Sequence, residues 1–134
     1  MATKTYSGSC HCGAVRFEAD IDLAKGTTRC NCSFCSKARA WFVTVPPDQV
    51  RLIAGADAQA QYQWTPAGRS ESHLRYQFCK TCGIRTFGYG GDKFRFINVA
   101  ALEVDPGELA AAPLRYVDGK NDRYDQPPKD TRLL

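Results

Sequence analysis

Seven cysteines fall in three tight groups along this chain of 134 residues, and that grouping limits the possible folds more than any other feature. The central group, Cys30-Asn31-Cys32-Ser33-Phe34-Cys35, puts three sulfurs within six residues. A C-x-C-x-x-C run of this kind can grip one metal ion from a single short loop. Zinc is the expected ion, because thiolates hold it well at about 2.3 Å. Three protein ligands leave a tetrahedral ion with one position unfilled, whereas a structural zinc closes with four. The unfilled position is the candidate seat of function.

The other four cysteines form two pairs, Cys10-His11-Cys12 near the start and Cys79-Lys80-Thr81-Cys82 far along the chain. Together they make a four-thiolate set that would clamp the N-terminal segment onto the middle of the domain. A disulfide framework fits poorly, since seven is odd and such spacings favour chelation. Thiols that must stay reduced point to the cytoplasm. The opening Met1-Ala2-Thr3-Lys4-Thr5-Tyr6 leads into no hydrophobic stretch and does not read as a signal peptide. No apolar run approaches the roughly 20 residues that span a bilayer.

Hydrophobic residues make up 43% of the chain and charged ones 24%, a globular balance that predicts one domain over residues 1–134. Its motif-bearing part runs from about residue 8 to 96, and residues 118–134 form a polar tail. The formal charge of +4 counts the cysteines as neutral. Seven thiolates and two zinc ions would bring it to about +1. Lys and Arg are scattered rather than gathered in a stripe, which argues against a general nucleic-acid binder.

The pattern between the cysteines is mainly that of short antiparallel strands. Strands are expected at Ala14–Glu18, Trp41–Val45, Val50–Ile53, Ala58–Trp64, Glu71–Phe78 and Phe94–Val99, from alternation or from β-branched and aromatic enrichment. Pro46-Pro47 ends the second of these. Gly13 suits the tight turn after a metal knuckle, since glycine reaches positive φ cheaply. Lys25–Thr28 reads as a loop, Ser36–Arg39 as a polar link, Thr65–Gly68 and Thr86–Gly91 as turns, and Asp105–Leu109 as the start of a helical turn. The tail is expected to lie extended over the surface.

Three stretches together carry a family resemblance: Gly8-Ser9-Cys10-His11-Cys12-Gly13-Ala14-Val15, then Cys30-x-Cys32-Ser33-x-Cys35, then Phe78-Cys79-x-x-Cys82-Gly83. The chain resembles the glutathione-dependent formaldehyde-activating enzyme family, which also contains the centromere protein V group. The likeness runs from about Gly8 to Phe96 and involves all seven cysteines; Pro113–Gly119 fits more loosely. It implies a compact, mainly β fold held by two zinc ions. Cys10, Cys12, Cys79 and Cys82 would hold a structural zinc, and Cys30, Cys32 and Cys35 a catalytic one. It also implies condensation of formaldehyde with the glutathione thiol to S-hydroxymethylglutathione, a carbon–sulfur lyase reaction in reverse.

That chemistry suits an open three-thiolate site. A free thiol has a pKa of about 8.5 and is mostly protonated near neutrality; coordination deprotonates it. A substrate thiol can then enter as thiolate with an aldehyde carbon beside its sulfur, the gain being chiefly proximity and orientation. Three cysteinates leave the centre at net −1, however, which weakens zinc as a Lewis acid towards the aldehyde oxygen.

Other residues invite a role. Asn31 stands where the family often has histidine. Ser33 is either a donor to a cysteine sulfur or a turn residue, and Lys37 and Arg39 either meet ligand carboxylates or are solvated. His11 is expected to point away from the metal and His73 to be a packed or surface histidine, while Trp41, Phe42, Trp64 and Phe96 read as core and Tyr89 as a possible pocket residue. Two further function classes compete with the enzyme: a zinc-bearing module for protein or nucleic-acid contacts, and a redox or metal switch in which the trio releases zinc and forms a disulfide.

Overall fold

Alternating burial sets the first hairpin. In the computed structural model, which describes residues 3–66, 68 and 74–134, β1 (Lys4–Ser9) pairs antiparallel with β2 (Arg16–Ile21). Phe17, Ala19 and Ile21 of β2 point inward on every second position. Gly8 lies opposite Phe17, and a Cβ at Gly8 would overlap the Phe17 ring. β5 (Val50–Ala54) adds to the other edge of β2 and completes a three-stranded sheet.

The second sheet is larger. It contains β3 (Thr27–Cys30), β4 (Trp41–Val45), β6 (Gln59–Trp64), β7 (Leu74–Cys79), β8 (Arg85–Gly90), β9 (Phe94–Asn98) and β10 (Leu114–Val117). Their order across the sheet is β10-β3-β4-β9-β8-β7-β6. Tyr6, Phe17 and Ile21 from the small sheet and Val43, Val45, Phe87 and Ile97 from the large one meet in one hydrophobic core. Phe17 and Phe87 touch across it with ring centroids 5.6 Å apart. Fully burying a side chain of this size contributes about 1.5–3 kcal/mol. Phe17 is 1% exposed and Ile97 fully buried, so both reach that limit.

The chain passes from the small sheet to the large one a second time between β5 and β6, through Gly55 and the 3-10 turn Ala56–Ala58. Gly55 has φ +93°, and a Cβ there would overlap the Ala14 carbonyl oxygen. Glycine is therefore required where the crossover presses on the first cysteine turn. No described helix is long and apolar enough to cross a membrane.

The mainly β architecture agrees with expectation, and Trp41–Val45 is a strand with the expected bounds, followed by a 3-10 turn at Pro47–Gln49. Other expectations need correction. Lys25–Thr28 is not all loop, because Thr27 opens β3, which pairs on both sides. One of those partners, β10, runs parallel to it, so the strands are not uniformly antiparallel. The link at Ser36–Arg39 is largely the second half of helix α1 (Ser33–Ala38), which Arg39 ends in the left-handed region at φ +54°. Thr86–Gly91 is mostly strand β8 rather than a turn. Gly88 and Gly90 serve there as close-packing positions: a Cβ would overlap the Arg75 carbonyl and the Phe94 ring respectively. Only Gly91, at φ +64°, turns the chain. The helical turn near Asp105 is α2 (Pro106–Ala111), capped by the Asp105 side chain accepting from Gly107 N–H. Of the stretch expected as strand from Glu71, residues 71–73, including His73, lie outside the described residues.

Candidate metal centres

The two outer cysteine pairs occupy equivalent turns. Cys10 and Cys12 lie between β1 and β2 of the small sheet; Cys79 ends β7 of the large one and Cys82 lies between β7 and β8. Each pair is followed by a glycine in the left-handed region, Gly13 at φ +83° and Gly83 at φ +77°. In the first turn Cys10 N–H bonds Val15 O at 3.1 Å and Val15 N–H donates to Cys10 Sγ at 3.3 Å. In the second, Gly83 N–H bonds Cys79 O at 2.9 Å and Thr81 N–H donates to Cys79 Sγ at 3.4 Å. Lys80 N–H also bonds Ala58 O at 2.8 Å, which ties this turn to the crossover.

All four sulfurs lie within 4.8 Å of one another. Cys10 and Cys12 Sγ are 3.7 Å apart, and Cys12 and Cys79 Sγ 3.6 Å. Four sulfurs at about 2.3 Å from a tetrahedral zinc stand about 3.8 Å from one another. The donor set and its spacing therefore fit zinc. Backbone N–H groups of Cys12 and Ile84 draw the Cys82 thiol below its ordinary range, which favours the ligating thiolate. Cys10 and Cys79 are buried, so this cluster closes the contact between the two sheets.

The central trio is built differently. Cys30 ends β3, and Cys32 caps α1, its sulfur accepting from Cys35 N–H at 3.3 Å. Cys32 N–H donates in turn to Cys30 Sγ at 3.4 Å. The three sulfurs lie within 4.8 Å of one another, all are buried, and no fourth His, Cys, Asp or Glu ligand atom among the described residues joins them. Hydrogen bonds from Cys30 and Cys35 hold the Cys32 thiol far below its ordinary range, while Cys30 and Cys32 push Cys35 up. Three sulfurs this close could hold one cation among them, and a soft divalent ion suits the donor set.

The C-terminal segment covers this trio. Asn31 Nδ2 donates to Asp118 Oδ1 at 2.8 Å, and Asn31 Oδ1 accepts from Lys120 N–H at 2.9 Å. Gly119 then sits so close that a Cβ there would overlap Cys30 Sγ and lie 3.3 Å from Cys32 Cβ. Asn31 thus anchors the turn at Asp118–Lys120. The rest of the tail is largely exposed, as expected.

Beside the trio is an aromatic assembly. Phe34 stacks on Tyr76 at 3.8 Å between centroids and lies near Tyr62 and Trp64 at 5.9 and 6.3 Å. The guanidinium of Arg85 sits 5.6 Å from the Phe34 ring centroid and donates to the Ala38 carbonyl at 2.8 Å. Burial depresses the Arg85 pKa, a shift that Cys35 opposes; burial and the three nearby sulfurs raise that of Tyr76. A cavity of about 40 Å³ is bounded by Cys35, Phe42, Tyr76, Arg85, Phe96 and Asn98, among others. A wider groove of about 450 Å³ runs past Ser33, Phe34, Lys37, Tyr62 and Trp64.

Several residues therefore have different places from those expected. Trp41, Phe42, Trp64 and Phe96 are half-buried rather than deep core, and Phe42 and Phe96 wall the cavity. Ser33 is exposed at the start of α1. Lys37 is exposed on the groove, whereas Arg39 donates to the Leu133 carbonyl in the tail. Tyr89 packs against the main core under the Arg95 guanidinium, 4.3 Å away. His11 is exposed in its turn. Arg85, Tyr76, Asp118 and Gly119 gave no signal in the sequence, since each depends on contacts distant along the chain.

Comparison with known proteins agrees with this arrangement. The family model described as glutathione-dependent formaldehyde-activating enzyme matches residues 5–117. A Halomonas elongata protein, provisionally named a glutathione-dependent formaldehyde-activating enzyme, is 34% identical over 79 residues, 56% of this chain and 50% of that protein. The chain thus matches about half the length of that relative. A crystal structure of a Rhodobacter sphaeroides protein superposes with a TM-score of 0.66 at 33% identity, covering 81% of this chain and 98% of that one. The chain belongs to the glutathione-dependent formaldehyde-activating enzyme family.

Proposed function

We propose that this protein joins a thiol to a small aldehyde at the Cys30, Cys32 and Cys35 centre. With glutathione and formaldehyde, the pair in the family's name, the product is S-hydroxymethylglutathione and the reaction type is that of a carbon–sulfur lyase. In this reading Cys10, Cys12, Cys79 and Cys82 hold a structural zinc and the trio holds a second, working in a reducing compartment such as the cytoplasm. The observation that carries it is the incomplete ligand set: three buried sulfurs within 4.8 Å and no fourth protein ligand atom among the described residues.

Zinc bound by the trio would supply a cation that favours the thiolate form of an incoming thiol. The chain's own residues then do the rest. Cys30, Cys32 and Cys35 fix the centre at the end of a strand, and N–H···S bonds orient the Cys30 and Cys32 sulfurs. The groove past Phe34, Lys37 and Trp64 is large enough for a peptide-sized thiol, whose carboxylate Lys37 would meet.

The test follows adduct formation from glutathione and formaldehyde by NMR, for zinc-loaded wild type and for Cys32→Ser. The reading expects acceleration over the uncatalysed reaction by wild type and none by the variant, which stays folded with about one zinc. A folded wild-type protein with two zincs and no acceleration would overturn it and favour the interaction-module or redox readings.

A further inference from the structure

The cavity behind Cys35 and the groove past Phe34 differ tenfold in volume, about 40 against 450 Å³. Phe34 lines the groove and Tyr76 the cavity, and their rings stack at 3.8 Å. One water needs roughly 10–15 Å³ on this scale, so the cavity has room for about three non-hydrogen atoms. A peptide thiol does not fit wholly inside it, whereas a one- or two-carbon carbonyl compound does.

The lining suits the same ligand. Phe42 and Phe96 provide apolar walls, while Arg85 and Asn98 bring polar groups to the cavity. Arg85 carries five N–H donors and spends one on Ala38 O. Among the described residues it forms no ion pair with a carboxylate. It is held by the Phe34 ring and the end of α1 rather than by a carboxylate. A donor-only cation in a half-apolar recess is complementary to a carbonyl oxygen that gains negative charge.

We propose that this cavity is the aldehyde chamber, that Arg85 faces the carbonyl oxygen, and that the chamber restricts the enzyme to aldehydes of one or two carbons. The inference rests on the functional reading above and adds the division of labour between its two recesses. In the step itself, the thiol sulfur forms a bond to the aldehyde carbon and the C=O π pair moves onto oxygen beside Arg85. The thiol's proton leaves to solvent and the oxygen takes one from water, so nothing is oxidised or reduced. Arg85 would supply the positive charge that a net −1 three-thiolate centre lacks.

The test is a binding experiment with unreactive carbonyl probes on the zinc-loaded full chain. Formamide, acetamide and butyramide are titrated while the Arg85 side-chain Nε–H is followed by NMR, the signal being assigned from its loss in Arg85→Lys. Formamide should give saturable shifts, acetamide, one atom larger, should bind more weakly, and butyramide at least about tenfold more weakly than formamide, the scale of one or more methylenes in a tight pocket. Phe96→Ala should narrow that gap; Phe96→Leu, a milder change, should narrow it less and guards against a folding failure. Shifts of equal size and affinity for all three amides, or none for any, would overturn the chamber whether or not the protein makes adduct. Size-selective binding without adduct formation from formaldehyde would uphold the chamber and overturn the functional reading instead.

Discussion

The two cysteine clusters contain the same donor atom and do different things with it. The four-cysteine cluster is assembled from two hairpin turns, each with its own glycine, and each turn belongs to a different sheet. It offers four sulfurs, and none of its cysteines lines either of the two recesses. The three-cysteine cluster sits on one continuous stretch, a strand end and the first turn of a helix, and is incomplete. A cavity, a groove and the C-terminal turn surround it. Closing a contact between distant parts of a fold calls for four ligands from two places. Presenting an open ion calls for three ligands from one place and a shaped surrounding.

This contrast makes graded predictions. The largest effect is expected for Cys79→Ser, which removes a fully buried ligand from the cluster between the sheets. Structural zinc in small peptides is worth about 10–16 kcal/mol of folding free energy. The variant should therefore fail to give a cooperative thermal transition by circular dichroism. A melt like that of wild type would erase the distinction between the clusters.

Next in size is Cys32→Ser. It should lose one zinc and all adduct formation yet retain a cooperative melt, because the trio bridges no pair of sheets. Zinc analysis with calorimetry checks both halves.

Gly119→Ala should come third. Its methyl group cannot fit against Cys30 Sγ and Cys32 Cβ without moving the trio or the turn. Changes around a metal's ligands commonly cost 10–100-fold in affinity, so a loss of about tenfold or more is expected at the trio alone. Competition with a chromophoric chelator measures it.

Asn31→Ala should be the mildest. It releases the Asp118 and Lys120 contacts but leaves every sulfur and every N–H···S bond in place. Zinc affinity at the trio should fall by about tenfold at most. An effect larger than that of Gly119→Ala would mean that the tail is held to the trio mainly by Asn31.

The cysteine clusters were legible because spacing suited to chelation is written locally in the sequence. Cys10-x-Cys12-Gly13 and Cys79-x-x-Cys82-Gly83 carry both the sulfurs and the backbone freedom that turns them. Trp41–Val45 was legible for a similar reason: β-branched and aromatic residues stopped by prolines need no distant information. β8 was not, since Gly88 and Gly90 signal a turn until Phe94 and β7 are seen to fill the space above them. Nor was β3, a four-residue strand whose parallel partner lies far along the chain. The surroundings of the trio were the least legible part. Arg85, Tyr76, Asp118 and Gly119 reach it only through strand pairing and the return of the tail, and no local pattern marks them.

The central claim is that one zinc closes the fold and the other is open to a thiol. Zinc per chain, measured on reduced protein during titration with glutathione alongside the folded signal by circular dichroism, tests it most directly. The account predicts two zincs, one of which becomes more labile or changes its exchange rate as glutathione is added, with the folded signal intact. Two zincs that respond together, or are lost only as the fold is lost, would contradict it.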